Sequence, residues 1–380
     1  MSYRYGASYL DPGLNTLVAP TPIPVSYTYY LSSWGQNNNG QLGLGNSTSY
    51  SSPKQVGALT DWKLISAFRS QSFGIKTNGT LWAWGNNQWG NLGTNNLTYY
   101  SSPKQIGALT NWLYVAAAKY CTFAIKTDGT LWSWGYNSQG QLGLNNTNNY
   151  SSPKQIGSST WISVAGGNFS GIAVRSDNTI WSWGGNGYGC LGLGNTTSYS
   201  SPKQIGALSN WLKVASGAYN TLALKTDGTL WVWGNNTNGQ LGQSNVSSKS
   251  SPVQIGALTT WSSACFTESI SSVSTAAIKT DGTLWTWGWN NYGQLASGNT
   301  TYYSSPRQVG ALTNWKTISS GGNHFSVVKT DGSLWAWGYN GAGQLGQNNM
   351  VNYSSPKQIG ALTNWLLTTG SYNATLGMYY

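Results

Sequence analysis

The chain has 380 residues, of which 7% are charged and 14% aromatic, with 22 Trp and 49 Gly. Disorder needs low hydrophobicity and high charge, so this composition argues against it. The net charge of +11 reflects 8 acids against 19 bases with no Lys/Arg run, so the stripe of a nucleic-acid binder is missing and nucleic acid is disfavoured as a partner.

Residues 1–28 carry Pro20, Pro22 and Pro24, which predict an extended arm, read either as a disordered leader or as a segment that docks on a partner such as a virion protein or on the propeller itself. No apolar core of a cleaved signal peptide opens the chain, and no run approaches a membrane span. The expectation is a soluble protein without membrane insertion.

From residue 29 onward the chain repeats. The second Trp of W-x-W-G falls at Trp34, Trp84, Trp134, Trp183, Trp233, Trp287 and Trp337. A Trp ahead of another strand recurs at Trp62, Trp112, Trp161, Trp211, Trp261, Trp315 and Trp365. The S-P-x-Q element also recurs seven times, at spacings near 50 residues. Seven units of short strands and turns predict an all-β, seven-bladed β-propeller over 29–380.

Within one unit, "SPKQIG" reads as an edge strand, with Pro where no ladder donor is required. "NWLKVASG" reads as a second strand. "TFAIKT" and "TLWSWG" read as a hairpin about Asp128-Gly129, a two-residue type I′ turn signal. That turn predicts Ile125 opposite Trp132 and Phe123 opposite Trp134. The first unit lacks its own "KTDG" strand and the last stops after "SYNATLGMYY". Tyr29–Gly35 should therefore pair with Ala374–Tyr379 in a composite blade that closes the ring and removes open edges.

The stretch "GGNHFSVVKTDGSLWAWGYNGAGQLGQNN", Gly321–Asn349, carries G-x-x-H, D-G, W-G and G-Q-L-G in order and resembles the repeat of the regulator of chromosome condensation family. The resemblance covers 29–380 and implies a seven-bladed propeller. It also implies nucleotide exchange on a small GTPase, chromatin binding, or a protein-interaction module. The chain departs from the family at the histidine, kept only as His324, with Gln71, Cys121, Ser170, Asn220, Ser274 and Asn373 taken as its equivalents. Acids are few, and no basic tail is present.

No residue is assigned to catalysis, to a cofactor or to a metal. His324 is the single histidine, so a His-containing metal cluster or a marked Ser–His–Asp triad cannot be drawn. Cys121, Cys190 and Cys265 show no ligand spacing and are expected as free or buried thiols. Most acids sit in turns, at Asp128, Asp177, Asp227, Asp281 and Asp331. Two basic rings repeat with the units, one through Lys54 and one through Lys76, and read as a solvated rim.

Recognition is expected where the repeats disagree. Trp89, Tyr188 and Tyr292 precede the Gly of G-Q-L-G, and Tyr136, Trp289 and Tyr339 follow W-x-W-G. Rings beside Asn and Gln suit a protein surface or a polysaccharide. The resulting expectation is a non-enzymatic binding module, a phage virion attachment protein of tail or capsid surface contacting host glycan. The alternative is an interaction hub or small-GTPase exchange regulator.

Overall fold

The structure is a computed structural model that describes residues 28–380; the predicted arm over 1–28 falls almost wholly outside the described residues. The chain forms seven antiparallel blades arranged in a ring. Five stand alone in the hydrogen-bond ladder as four-stranded sheets, and two share one seven-stranded sheet. The sharing has a local cause. One unit is a residue shorter, with "GSSTW" where the preceding unit reads "GALTNW" and the following one "GALSNW", and Tyr150–Gly166 runs on as one strand. Its start is the outer strand of one blade and its end the inner strand of the next.

Tyr30–Gly35 pairs antiparallel with Ala374–Tyr379 along its whole length, Tyr30 opposite Tyr379 and Gly35 opposite Ala374. The chain ends thus build one blade together, as the repeat arithmetic requires. The same register places Ala374, not Asn373, at the position of His324, since each faces the Gly that follows the stapling Trp, Gly35 and Gly338. Sequence alignment slips here because the final unit has no motif of its own to anchor it.

Each blade is fastened to the next by the second Trp of W-x-W-G. Trp134 Nε1 donates to Asn91 O at 2.9 Å, across a blade boundary, and Trp84 does the same to Gln41 O. Trp34 completes the circle on Gln344 O at 2.9 Å. All seven of these rings are fully buried. Burial of so large an apolar surface, with the indole N–H satisfied, makes this position the main cohesive element of the ring.

The hairpin register differs from the expected one. Ile125 faces Leu131, Ala124 faces Trp132, and Phe123 faces Ser133. The loop is three residues, not two. Gly129 N donates to Lys126 O at 2.9 Å, and only Gly129 takes a positive φ, of 80°. This is the type I turn closed by a left-handed Gly, the usual three-residue hairpin. One extra residue moves Trp132 and Trp134 to the other face, away from Phe123. The small Ala124 gives Trp132 its room.

The repeated letters of this turn form one chain of contacts. Asp128 Oδ1 accepts from Thr130 N at 2.9 Å and from Thr130 Oγ1 at 2.7 Å. Thr130 Oγ1 accepts from Trp132 Nε1 at 2.9 Å. Lys126 Nζ lies 3.8 Å from the Trp132 ring centroid and 5.0 Å from that of Trp112. The hydrogen bonds from Thr130 lower the Asp128 carboxyl below the usual aspartate value. This end of the ring, the turn face, repeats with little change.

Candidate binding face

The opposite end carries two kinds of loop: the tip between the first two strands of a blade, and the long loop after W-x-W-G. The long loop is less free than its polarity suggests. Asn137 is fully buried, its Oδ1 accepting from Leu142 N at 2.8 Å and its amide nitrogen donating to Asn146 O and Asn148 O at 3.0 Å each. Its counterparts Asn37, Asn87 and Asn186 do likewise. These amides hold the loop, so the buried Asn at this repeat position is committed to scaffold.

The residue after W-x-W-G is tied to the hairpin tip of its own blade. Tyr136 N donates to Tyr120 O at 2.8 Å, Gly185 N to Phe169 O at 2.7 Å, and Tyr339 N to Asn323 O at 2.9 Å. The residue before the Gly of G-Q-L-G arrives from the preceding blade. The two variable positions therefore meet as aromatic pairs at two junctions. Trp89 meets Tyr136 with ring centroids 4.5 Å apart, and Tyr292 meets Tyr339 at 4.7 Å. Trp289 packs edge-on against Tyr292 at 5.2 Å. Tyr188 has Asn235 at the matching position and rests instead on Tyr219, 4.5 Å away.

The six residues singled out in the sequence thus fall into two arcs. The larger joins Trp89, Tyr136 and Tyr188 through residues that the motif comparison passed over. Tyr120 touches both Trp89 and Tyr136. Phe169 and Tyr219 line, with Tyr136 and Tyr188, a cavity of about 450 Å³. The smaller arc holds Trp289, Tyr292 and Tyr339, with Tyr302 6.0 Å from Trp289. Tyr188 is 48% exposed and Tyr292 36%, while Trp89, Tyr136, Trp289 and Tyr339 are half-buried. Packing across the junction and exposure to a partner coexist in the same rings. Tyr120, Phe169 and Tyr219 share one repeat position with Ser70 and Asn323, one residue ahead of His324's place. Its variability was the signal that could have found them.

Charge is unevenly placed. Asp61 and the five turn aspartates sit at the turn face; among the described residues Glu268 is the sole acid at the loop face. Glu268 lies in the four-residue excess of the longest unit, between the strands Trp261–Phe266 and Ser274–Lys279. It reaches across the ring axis and accepts from Arg69 N at 3.0 Å. Burial raises its carboxyl well above the usual value, against the pull of that hydrogen bond and of the Arg69 charge.

The histidine and the three cysteines lie inside the ring. His324 is fully buried, its Nε2 2.9 Å from Thr375 Oγ1, and burial lowers its pKa to about 3. The three cysteines are buried and unpaired, and burial pushes Cys121 and Cys265 up to about 12 and Cys190 to about 11, so no reactive thiolate forms. No group of three or more potential metal ligands exists among the described residues. No described helix is long and apolar enough to cross a membrane.

A closed ring of seven blades, stapled by the repeated Trp and varied at one end, defines a repeat β-propeller. Its sequence matches the RCC1-like domain over residues 27–272 and the regulator of chromosome condensation (RCC1) repeat over 281–328 and 331–369. The chain belongs to that family. Human WBSCR16 superposes with a TM-score of 0.81 at 18% identity, covering 92% of this chain and 98% of that one. Prp20p of Saccharomyces cerevisiae, whose structure was described with its binding properties to Gsp1p and histones, gives 0.82 at 17% identity, covering 100% and 96%. Yeast RCC1 (Prp20) in a structure with Kap60 bound gives 0.83 at 17%, covering 100% and 94%. At such identities the likeness shows the fold alone. Comparison with the curated proteins returns no match. Nothing among these relatives supports the virion, phage-tail or host-glycan expectation, and the interaction-module alternative fits them better.

Proposed function

We propose that the protein is a non-catalytic binding propeller that holds a protein partner on its loop face. The observation that carries this reading is the aromatic arc from Trp89 through Tyr120, Tyr136 and Phe169 to Tyr219, which crosses successive blades with its rings part-exposed. Rigid aromatic rings on a stiff scaffold give large contact area at small entropic cost, the composition typical of interface anchors. The structural neighbours, one described with its binding properties to Gsp1p and histones and one with Kap60 bound, support a protein over a polysaccharide. A virion role has no counterpart among them.

Cross-linking capture followed by mass spectrometry tests the reading. The double variants W89A/Y136A and Y188A/Y219A should lose the partners that wild type retains, while K126A/K225A on the turn face should keep them. Retention by both aromatic variants would sink the proposal. Release of a fluorescent guanine nucleotide from a captured GTPase would separate an exchange regulator from a simple hub.

A further inference from the structure

The centre of the loop face holds charges that the aromatic arc does not use. Arg69 and Lys119, from the hairpin tips of adjacent blades, line one cavity of about 190 Å³ with Gln36, Asn86, Tyr120 and Tyr372. Each cation is held against a ring of the neighbouring blade. The Arg69 guanidinium lies 5.3 Å from the Tyr372 ring centroid, and Lys119 Nζ lies 4.6 Å from that of Phe169. Arg69 sits at φ 50°, a conformation uncommon for its type, fixed by the bond from its N–H to Glu268. Its Nε is shut from solvent and has no hydrogen-bond partner among the described residues.

Two of the cavity's amides, those of Gln36 and Asn86, are oriented as donors. Gln36 Oε1 accepts from Asn373 Nδ2 at 3.1 Å, and Asn86 Oδ1 accepts from Gln88 N at 3.1 Å. With their oxygens taken, both present an amide nitrogen. No acid lines this cavity, and neither cation makes a salt bridge within 4.0 Å among the described residues. Burial and the Arg69 charge both push the Lys119 ammonium below the usual lysine value. Two like charges fixed side by side are costly in an empty cavity and favourable around an anion.

We propose that this cavity is a carboxylate subsite of the loop face, taking an Asp or Glu side chain from an extended acidic segment of the protein partner. It rests on the reading of that face as a protein-binding surface. One guanidinium, one ammonium and two amide donors match the two oxygens of a carboxylate. A phosphate dianion is more commonly met by a cluster of arginines. Trp89 and Tyr136, packed on Tyr120 at the cavity edge, would take the apolar neighbours of the acidic side chain.

Fluorescence anisotropy on the full chain tests this with labelled hexaglutamate, hexaglutamine and a matched phosphoserine peptide. Hexaglutamate should bind and hexaglutamine should not. R69N keeps a residue that tolerates positive φ, and K119Q keeps the length; each should weaken hexaglutamate by about tenfold, the loss of one charge-assisted hydrogen-bonded contact. The melting temperature should stay unchanged in both. The turn-face double variant K126Q/K225Q should change binding less than about twofold, since surface charges beyond a Debye length are screened. Binding unaltered by R69N and K119Q, or lost equally in the turn-face variant, would overturn the assignment. Tighter binding of the phosphoserine peptide would assign the site to phosphate and overturn the carboxylate. Failure of hexaglutamate alongside partner loss in W89A/Y136A would remove only this inference and leave the protein-binding reading standing.

Discussion

The two ends of the ring are built from the same repeat and have opposite characters. At the turn face, Asp128, Thr130, Trp132 and Lys126 make a closed set of contacts, and the unit at Asp227, Thr229, Trp231 and Lys225 repeats it bond for bond. At the loop face, one repeat position holds Ser70, Tyr120, Phe169, Tyr219 and Asn323 in turn. The difference is one of constraint. The turn Asp accepts from a backbone N–H and a hydroxyl, and that hydroxyl accepts from the indole, so the position changes only to a residue that keeps these bonds, as Asn78 does. A hairpin-tip residue that offers only its carbonyl to the next loop can be of any type, and the side chain is free for recognition.

The largest effect that would break this comparison lies in the framework. Deleting residues 371–380 removes the strand that pairs with both Tyr30–Gly35 and Trp365–Ser371. Two strand edges and the Trp34 staple would be exposed together. In a ring whose blades are stabilised by their neighbours, loss of one closure propagates. The truncated chain should lose its single cooperative unfolding transition in calorimetry. A melt like that of the intact chain would mean that closure contributes nothing to the ring.

A smaller effect sharpens the contrast directly. Trp134→Ala empties a fully buried site and removes the bond to Asn91 O, so it should destabilise by about 3–5 kcal/mol in denaturant titration. Tyr188→Ala, on an exposed ring of the loop face, should stay within about 0.5 kcal/mol. Equal losses would show that the loop aromatics are framework after all.

The fold was legible because the staple position is periodic. Trp34 to Trp337 count seven blades before any contact is known, and the incomplete first and last units point to a shared blade. The hairpin register was not legible. Asp-Gly is a turn signal for two loop lengths, and the deciding features, a bond from Gly129 N to Lys126 O and the Asp128 contacts to Thr130, select the longer one. Of the binding face, the six aromatics stood out because they interrupt a constant motif. Tyr120, Phe169 and Tyr219 did not, because their position has no constant residue to interrupt. Glu268 lies in an insertion with no counterpart in other units, and its reach to Arg69, 199 residues away, exists only in the closed ring.

Glu268 is a loop-face residue that behaves as framework, and its pH response shows by how much. Its folded pKa is raised by burial, so between the ordinary glutamate value of 4.5 and that higher value the native chain keeps a proton that the unfolded chain has released. Stability is then full below the lower value and falls as pH rises through the window, by at most about 1.4 kcal/mol per pH unit for one proton. His324 acts on the other flank. Its pKa falls from 6.5 to about 3 on folding, so acidification through that interval protonates the unfolded chain first and removes stability. The two slopes oppose each other between 4.5 and 6.5 and separate above it. Glu268→Gln retains an oxygen to accept from Arg69 N and cannot ionise. Urea midpoints measured from pH 4.5 upward, taken as the difference between wild type and Glu268→Gln so that the His324 slope cancels, should show wild type losing stability relative to the variant as pH rises. Parallel profiles would mean that the carboxyl is charged at the ring centre in the native state, and that the loop face carries less positive potential than Arg69 and Lys119 supply.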